Sequence, residues 1–577
     1  MKILLLTHSF NSLAQRLFIE LVRHEHEISI EFDISDAVTI QAVEMYQPTL
    51  ILAPFLKRAI PETIWRKTPC FIVHPGIVGD RGPSALDWAI MHGYQEWGVT
   101  VLQANGEMDA GDIWASDLFP MRLAKKSSLY RHEVVEAAVQ SVLTAVARFQ
   151  SGKYKPLPVD YTRREVHGRP HQPIRQTDRA IDWWKDRTNT ILRKINAADG
   201  FPGVLDTLYG EQYYLFDSCI EDTLRDETPG EIIAKRHGAI CRATIDGAIW
   251  IGQLKRKPID EPSFKLSATL ALKDHLVNVP EVALEPCLAS NRKTYRDIWF
   301  VRKNDVGYLY FSFYNGAMDT MQCERLREAY LTATRSDVKV IVLMGGTDFW
   351  SNGIHLNHIE NADSPAEESW RNINAMNDLA LSILSTDSQM TIAALQGNAG
   401  AGGVFLSLAA DYIYARNSVV LNPHYKSMGN LYGSEYWTYL LPRRVGDVCA
   451  KTLTQNRLPI GANEAHHLGL IDNCFALDQQ NFNKKIEQLA EELAVSQDYR
   501  ALLKNKVFQR TRDEQKKPLS AYRAEELRYM QLNFYGFDPS YHVARYHFVH
   551  KIPHAWTPLY LARHRCIRGS KTGGENL

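Results

Sequence analysis

Short apolar runs alternate with amphipathic stretches at the start of the chain. The apolar run ILLL is followed by LAQRLFIELVRH, which has helical periodicity, and then by the apolar runs ISIEFD, LILAPF and CFIVHPG. Strands separated by helices of about ten residues are typical of βαβ units with a mostly parallel sheet. The pattern predicts an α/β domain over residues 1–165.

Two different patterns follow. Residues 166–285 begin with a polar, proline-rich stretch and continue with short β-type runs separated by glycines, which predicts a small antiparallel, barrel-like domain. Strand and helix patterns alternate again in VGYLYFSF, VKVIVLMGG and MTIAALQG, which predicts a second α/β domain over residues 286–500. Residues 501–577 form a helical and then basic tail. The chain is thus predicted to be a multidomain α/β protein.

Composition excludes several classes of protein. The 577 residues are 45% hydrophobic and 23% charged, as in globular proteins rather than disordered ones. Lys plus Arg and Asp plus Glu are equal at 66 each, so no overall field favours a nucleic acid, and we expect none as a partner. The eight cysteines include no C-x-x-C pair, which argues against zinc or a disulfide framework and favours a reducing cytoplasm.

No segment of the sequence predicts a membrane span. The N-terminus has only four consecutive apolar residues after its lysine, too few for a signal peptide. The most apolar later stretch, 392–415, is interrupted by Gln396, Asn398 and Asp411. We therefore expect a cytoplasmic protein without a membrane partner.

Two segments of the first domain carry a specific motif. FIVHPGIVGDRGPSALDWAI places His74 at a strand end, and WGVTVLQANGEMDAGDI places Asp109 in a D-x-G turn. Together they resemble the formyl-tetrahydrofolate-dependent formyltransferases. That resemblance implies a Rossmann-type sheet, a folate pocket near residues 54–60, an oxyanion-stabilising role for His74, and an Asp109 that positions the imidazole and moves a proton. Taken singly, His74 could be a core or capping histidine and Asp109 an ordinary turn residue.

The motif departs from the formyltransferases at one position. They carry an asparagine two residues before the histidine, where this chain has Ile72. Loss of such an oxyanion donor lowers rates by about a hundredfold or more, which favours a more nucleophilic acceptor, such as a thiol, over an amine. The segment RAIDWWKDRTNTILRKINAADGFPGV resembles the start of the formyltransferase C-terminal domain, so this likeness covers about the first 280 residues.

The third domain carries a second motif. VKVIVLMGGTDFWSNGIHLNHIE followed by TIAALQGNAGAGGVFLSLAADYIYA resembles the enoyl-CoA hydratase/isomerase (crotonase) superfamily. The resemblance implies that the backbone amides of Ile354 and Gly402 form an oxyanion hole for an acyl-CoA thioester. A glycine cluster alone would equally indicate helix packing or a turn. Phe405 and His424 stand where hydratases carry glutamates, so we expect no enoyl hydration.

Tyr425 and Glu435 lie in the segment HYKSMGNLYGSEYW, which should cover the acyl end of a bound ligand. A phenol and a carboxylate there could orient a short acyl group or pass a proton between carbon and sulfur, and we predict both as catalytic residues. Without the crotonase frame, each would more simply be a surface or packing residue.

A formyl-folate site and an acyl-CoA site in one chain imply formyl-CoA as a shared intermediate. The domain order, with THSFNSLAQRLFIEL and PHYKSMGNLYGSEYW, resembles the HypX family of [NiFe]-hydrogenase maturation factors. That family implies an enzyme that transfers formyl from formyl-tetrahydrofolate to coenzyme A and decarbonylates formyl-CoA to CoA and carbon monoxide, a ligand for the hydrogenase iron. Small molecules are then its substrates, and other hydrogenase maturation proteins are candidate partners.

Two other functions stay open at this point: a non-catalytic CoA-binding scaffold in hydrogenase maturation, and a bifunctional amine formyltransferase and acyl-CoA isomerase. Contacts to CoA or folate are predicted for Gln15, Ile72, Arg131, Arg563 and Arg565, since guanidinium groups bind phosphates through forked hydrogen bonds. Solvated charge is the alternative for the tail arginines. No metal site is predicted, because the histidines of the tail lack a compact ligand pattern.

Overall fold

The computed structural model describes residues 1–259, 262–284 and 292–566, in two compact units. Unit 1 contains residues 1–123, 129–174 and the described tail residues 553–566, and unit 2 contains residues 124–128 and 175–552. The domain boundary predicted at 285/286 lies outside the described residues, and the other boundaries drawn from the sequence stay predictions.

Unit 1 is built on a six-stranded sheet with the order β2-β1-β3-β4-β5-β6. The pairs β1–β2, β1–β3 and β3–β4 are parallel, whereas β4–β5 and β5–β6 are antiparallel. The strands are β1 (Lys2–Thr7), β2 (Glu27–Phe32), β3 (Leu50–Phe55), β4 (Cys70–His74), β5 (Glu96–Gln103) and β6 (Ile113–Pro120). The predicted α/β fold with a mostly parallel sheet is confirmed.

Amphipathic helices flank this sheet. Helix α1 buries Leu13, Leu17 and Leu21 along one face, and it begins after Asn11, whose side chain accepts a 3.0 Å hydrogen bond from the amide of Ala14. The helices are α1 (Ser12–Arg23), α2 (Asp36–Tyr46), α3 (Glu62–Trp65), α4 (Ala85–His92), the short α5 (Lys126–Leu129), of which only the last residue belongs to this unit, a π-helical turn (Tyr130–Val134) and α6 (Val135–Ser151).

The described end of the tail packs on the edge strand β2. The amide of Ile30 donates to the carbonyl of Leu561 over 3.1 Å, and Glu31, fully buried, lies 2.9 Å from His564 Nε2 and 2.6 Å from Arg565 Nε. These contacts cover an edge that would otherwise expose unpaired backbone groups. A 3₁₀ turn, Arg563–Arg565, carries both side chains.

Unit 2 begins with an antiparallel sheet, as predicted. Its ladder runs β7-β8-β11-β10-β9, with β12 paired to β11, and among the described residues it does not close between β7 and β9. Helix α7 packs its apolar face, which includes Ile191 and Ile195, on the core of this sheet. The elements are α7 (Thr188–Ala198), β7 (Val204–Leu208), β8 (Glu211–Glu221), β9 (Ile232–Arg236), β10 (Ala239–Thr244), β11 (Gly247–Arg256), β12 (Leu266–Ser267), α8 (Ala268–Leu272) and a 3₁₀ turn (Lys273–Leu276).

The remainder of unit 2 contains two sheets. The larger has the order β13-β14-β15-β17-β19-β22 and the smaller β16-β18-β20-β21. The strands are β13 (Ile298–Lys303), β14 (Val306–Phe311), β15 (Val340–Leu343), β16 (Phe349–Ser351), β17 (Met390–Leu395), β18 (Asn398–Gly400), β19 (Tyr412–Arg416), β20 (Val420–Asn422), β21 (Ile460–Gly461) and β22 (Asn473–Phe475). Because β16 and β18 run parallel, the loops that follow them emerge side by side.

Helices surround these sheets, and the predicted helical tail is confirmed. They are a 3₁₀ turn (Tyr314–Gly316), α9 (Thr320–Thr334), α10 (Leu356–Glu360), α11 (Pro365–Leu384), α12 (Gly402–Leu408), α13 (Trp437–Val445), α14 (Asp447–Asn456), α15 (Ala462–His467), α16 (Gln479–Val495), α17 (Tyr499–Lys516), α18 (Leu519–Tyr535) and α19 (Ser540–His550). The capping box of Asp319 and Gln322 fixes the start of α9.

Candidate active sites

The two residues of the first motif lie together in unit 1. His74 is the last residue of β4 and is 4% exposed. Asp109, in a turn with a φ of 52°, brings its Oδ2 to 3.4 Å from His74 Nδ1. The same oxygen accepts a 3.2 Å hydrogen bond from the amide of Gly82, which fixes the carboxylate. The structure therefore forms the histidine–aspartate pair that the sequence predicted.

A second carboxylate, which the sequence analysis missed, lies on the other side of the imidazole. Asp80 Oδ1 is 2.9 Å from His74 Nε2, and its Oδ2 is 3.0 Å from His171 Nδ1. Asp80 is buried, and the ring of Trp88 stacks on His171. Asp80 stands within the motif that contains His74, which is the only signal for it in the sequence; His171 is distant in sequence and gives none.

The loop between His74 and Asp80 leaves no room for a side chain at Gly76. A methyl group built there would lie 2.3 Å from His74 Nε2 and 2.7 Å from Asp80 Oδ1. The hydroxyl of Thr100, on β5 opposite His74, donates to the carbonyl of Gly76 over 2.8 Å. The imidazole is thus held between fixed backbone and two carboxylates.

Ile72 lies in the middle of the sheet. It pairs with Ala53 of β3 and Leu102 of β5, and its half-buried side chain packs on the apolar core. Its side chain offers no hydrogen-bond donor near His74. Residues 54–60, predicted to border a folate pocket, begin at the end of β3, the parallel neighbour of β4.

The two predicted oxyanion residues lie on adjacent loops of unit 2. Ile354 follows β16, and Gly402 begins α12 after β18. A methyl group built on Gly353 would lie 3.3 Å from the amide nitrogen of Gly402, so the loops approach closely. Among the described residues, neither the Ile354 nor the Gly402 amide donates to a backbone carbonyl. Two amides in this arrangement can bind a carbonyl oxygen.

Tyr425 and Glu435 contact each other in the core beside this loop. The Tyr425 hydroxyl forms a short hydrogen bond with Glu435 Oε2 and lies 3.0 Å from the carbonyl oxygen of Ser434. Glu435 is 1% exposed, and a methyl group built on Gly402 would lie 2.3 Å from its Oε1. The carboxyl group therefore faces one of the two oxyanion residues.

Burial changes the acidity of both groups. Burial, with a smaller contribution from the charge of Glu526, raises the pKa of Glu435 to about 8 against the opposing hydrogen bond from Tyr425. Burial and the charge of Glu435 raise the pKa of the Tyr425 phenol well above its usual value. At neutral pH the phenol is a donor, while the carboxyl group can both give and accept a proton.

The positions of the hydratase glutamates hold an aromatic ring and a neutral imidazole. Phe405 stacks on Tyr425 at a centroid distance of 5.1 Å. Burial, together with the nearby charge of Arg457, lowers the pKa of His424 to about 4. Neither side chain supplies the carboxylate that hydratases use to activate water. An adjoining cavity of about 360 Å³ is bordered by Tyr425, Tyr432, Trp437 and Lys426.

Two polar residues missed by the sequence analysis hold the segment that contains Glu435. Asn377 Oδ1 accepts from the Glu435 amide over 2.8 Å and from the Ser434 hydroxyl over 2.9 Å. Glu526 accepts from the amides of Tyr436 and Thr438 over 3.0 Å and 2.9 Å. Both lie on helices far away in the sequence, where they look like ordinary polar positions.

The residues predicted to contact CoA or folate are spread over unit 1. Gln15 Nε2 donates to the carbonyl of Phe10 over 2.8 Å, and Arg131 lies in the π-helical turn. Arg563 is exposed, whereas Arg565 pairs with Glu31 and also donates to Gln41 over 2.8 Å. Their contacts to a ligand stay predictions.

Over the part of the chain that the structure describes, no cluster of three His, Cys, Asp or Glu side chains is placed to hold a metal ion. In those same ranges, every helix is too short or too polar to cross a bilayer.

Family comparisons match three segments of the chain. The formyl transferase model covers residues 23–146, the formyl transferase C-terminal domain model residues 173–266, and the enoyl-CoA hydratase/isomerase model residues 314–539. The methionyl-tRNA formyltransferase of Methylacidiphilum infernorum is 25% identical over 253 residues, 42% of this chain and 77% of that protein. Both motif resemblances of the sequence analysis are confirmed.

Other relatives match the whole chain. The hydrogenase maturation factor HoxX of Bradyrhizobium diazoefficiens is 50% identical over 571 residues, 98% of each chain. The crystal structure of HypX from Aquifex aeolicus in complex with tetrahydrofolic acid has a TM-score of 0.95 and 47% identity, and the match covers 99% of this chain and 100% of that one. The predicted family and fold class are confirmed, and the chain belongs to the HoxX/HypX family of hydrogenase maturation factors.

Proposed function

We propose that the chain makes carbon monoxide for the [NiFe]-hydrogenase active site in two steps. The first transfers a formyl group from formyl-tetrahydrofolate to the thiol of coenzyme A, and the second breaks formyl-CoA into carbon monoxide and CoA. The observation that carries the proposal is the Tyr425–Glu435 pair, buried against the oxyanion residue Gly402. A HypX crystal structure with tetrahydrofolic acid supports the folate donor.

The first step uses His74 between its two carboxylates. His74 Nε2 lies 2.9 Å from Asp80 Oδ1 and its Nδ1 lies 3.4 Å from Asp109 Oδ2, so the two carboxylates fix the orientation of the ring. The imidazole would stabilise the anionic oxygen of the tetrahedral intermediate. Asp109 would take the thiol proton and return it to the departing folate nitrogen. Ile72 offers no donor, so the reaction favours a strong nucleophile such as a thiolate.

The second step uses the buried pair in unit 2. The amides of Ile354 and Gly402 would bind the formyl oxygen, and Glu435 Oε1 would accept the formyl proton. The C–H electron pair stays on carbon as the lone pair of carbon monoxide, and the C–S pair leaves on sulfur. Glu435 then returns the proton to the thiolate. A pKa of about 8 for Glu435 suits both transfers, because a free thiol has a pKa of about 8.5.

The surroundings of the pair favour this reaction over hydration. Phe405, 0% exposed, packs against Tyr425 and excludes water from the phenol. His424 is neutral at physiological pH and is not a carboxylate. A proton can thus move within the pair without a competing water nucleophile. Residence in the cytoplasm and partners among other hydrogenase maturation proteins belong to the same proposal.

The test is carbon monoxide release from purified protein, detected as the haemoglobin adduct. Formyl-tetrahydrofolate labelled in its formyl carbon is supplied with and without CoA. We expect labelled gas only when CoA is present. Gas without CoA, or accumulation of formyl-CoA without gas, would contradict the two-step scheme. Turnover of neither substrate would favour a CoA-binding scaffold, and formylation of an added amine would favour the amine formyltransferase.

A further inference from the structure

The carboxylate of Glu526 is an unusual feature of the core of unit 2. It is 0% exposed and lies on α18. Its oxygens accept from the amides of Tyr436 and Thr438, from the Thr438 hydroxyl over 2.6 Å and from the Ser434 hydroxyl over 3.3 Å. One side chain therefore binds donors throughout the segment 434–438.

Among the described residues, no Lys, Arg or His side chain forms an ion pair with Glu526. Burial raises the pKa of Glu526 to about 7, although the donors from Thr438, Tyr436 and Ser434 oppose the rise. A buried carboxylate held only by neutral donors destabilises a fold compared with an apolar residue of the same shape, so its presence calls for a functional reason.

The segment that Glu526 binds is strained. Glu435 and Tyr436 have φ values of 61° and 60°, a left-handed conformation that is unfavourable for residues other than glycine. Glu526 holds this turn from α18, and Asn377 holds it from α11 through the Glu435 amide and the Ser434 hydroxyl. The result is that the side chain of Glu435 points toward Gly402.

Glu526 also acts on Glu435 through its charge. Besides burial, the groups that change the pKa of the Glu435 carboxyl group are the Tyr425 hydroxyl, the Ser434 backbone and the Glu526 carboxylate. Of these, the negative charge of Glu526 raises the pKa of Glu435, whereas the Tyr425 hydrogen bond lowers it. Burial, with smaller contributions that include the charge of Glu435, raises the pKa of the Cys323 thiol. The carboxylate on α18 is therefore the nearby group that makes Glu435 more basic.

We infer that Glu526 is a positioning residue for the reaction at Glu435: it holds residues 434–438 in the turn that directs Glu435 toward Gly402. The inference rests on the proposed function, because it assigns Glu526 an effect on proton transfer from the formyl group. Glu526 itself acts through Glu435 and contacts no substrate.

The experiment measures carbon monoxide release from supplied formyl-CoA across pH in the full chain. If ionised Glu435 is the base, the wild-type rate rises with pH around a midpoint near 8. Glu526→Gln removes the charge, and we expect kcat to fall about tenfold and the midpoint to move to lower pH, with little change in KM. Glu526→Asp keeps the charge, so its midpoint should stay close to that of the wild type.

The matched control is Glu525→Gln. Glu525, the preceding residue on α18, is 45% exposed and pairs with Lys517 over 2.7 Å, so both the rate and the midpoint should be unchanged. Thermal unfolding of the full chain reports whether each variant is folded, and formyl transfer to CoA, which uses the site in unit 1, should be unchanged in each. If Glu526→Gln does not fold, the comparison of Glu526→Asp with the wild type still tests the role in positioning through kcat.

The outcomes separate the two hypotheses. A wild-type chain that releases no carbon monoxide from formyl-CoA overturns the proposed function, and this inference with it. An active wild type together with a Glu526→Gln variant of unchanged midpoint, or a Glu526→Asp variant of unchanged kcat, overturns the inference alone.

Discussion

The buried carboxylates of Asp80 and Glu31 differ from those of Glu435 and Glu526 in the groups that they contact. In unit 1, Asp80 lies between the imidazoles of His74 and His171, and Glu31 pairs with His564 and Arg565. In unit 2, the hydrogen bonds that Glu435 and Glu526 accept from described residues come from hydroxyl and amide groups. Ion pairs stabilise the charged form of a carboxyl group, whereas burial among neutral donors favours the protonated form.

This difference matches the two steps of the proposed reaction. Formyl transfer passes through an anionic tetrahedral intermediate, which His74, oriented by two carboxylates, would stabilise. Decarbonylation moves a proton from carbon to sulfur, which needs a group that takes and returns a proton near neutral pH. The first site therefore requires an oriented imidazole, and the second requires a carboxyl group that titrates.

The largest expected effect separates the two sites. His74→Gln removes the imidazole, and formyl transfer to CoA should fall by about a thousandfold, as measured by tetrahydrofolate release. Decarbonylation of supplied formyl-CoA should stay at the wild-type rate, because Glu435 is untouched. The exposed His24→Gln is the control. An equal loss in both assays would show that the two sites do not act independently.

The next effect concerns stability rather than activity. Glu31→Gln removes the carboxylate that Arg565 and His564 contact, and breaking such a buried pair costs about 3 kcal/mol. We expect a lower midpoint of thermal unfolding and faster proteolysis within residues 553–566. Glu27→Gln, an exposed change on the same strand, should have no effect. An unchanged midpoint for Glu31→Gln would contradict the contrast between paired and unpaired carboxylates.

The same comparison explains how much of the molecule the sequence predicts. His74 and Asp109 lie in motifs that resemble the formyltransferases, and Ile354 and Gly402 lie in motifs that resemble the crotonases, so these resemblances are enough to pair them. Tyr425 and Glu435 lie only ten residues apart, and the segment that joins them carries its own pattern. The α/β patterns likewise predict the sheets, because periodicity reflects local burial.

Residues that act across the fold give no such signal. Glu526 and Asn377 approach Glu435 from helices whose sequences show only ordinary amphipathic positions, and His171 reaches Asp80 from a stretch that reads as a linker. The docking of Arg565 on Glu31 depends on tertiary contacts that no periodicity encodes. The pattern of the tail predicts a phosphate contact for Arg565, which stays a prediction, and it gives no sign of the ion pair with Glu31 that the structure shows.

A smaller effect is expected at Asp80. Asp80→Asn keeps the shape of the side chain but removes the carboxylate between His74 and His171. His74 then loses one of the two carboxylates that orient its imidazole, and formyl transfer should fall about tenfold. Decarbonylation of formyl-CoA should not change. The control is Asp36→Asn, a surface carboxylate that is 61% exposed and pairs with Arg58. A loss as large as that of His74→Gln would instead make Asp80 an equal member of the site.

The smallest expected effect is on the pH dependence of local stability, measured as amide hydrogen exchange corrected for the intrinsic exchange rate. Residues 434–438 and strand β2 should show opposite trends. Burial raises the pKa of Glu435 to about 8 and that of Glu526 to about 7, so the folded state binds protons that the unfolded chain has lost. The contribution of these two glutamates to the free energy of unfolding is fully present below the ordinary glutamate pKa and is lost as the pH rises through 7 to 8. Residues 434–438 should therefore exchange faster at alkaline pH.

In unit 1 the sign is reversed. Burial opposes ionisation of Glu31, yet hydrogen bonds from His564, Thr557 and Arg565 outweigh it and hold the pKa of Glu31 below its usual value. Its stabilisation is present above the ordinary glutamate pKa and is lost as the pH falls through the lowered one, so β2 should exchange faster only in acid. Glu31→Gln should abolish the acid trend, and Glu435→Gln should weaken the alkaline one. If both segments followed the same trend, pairing with cations would not be what distinguishes Glu31 from Glu435 and Glu526.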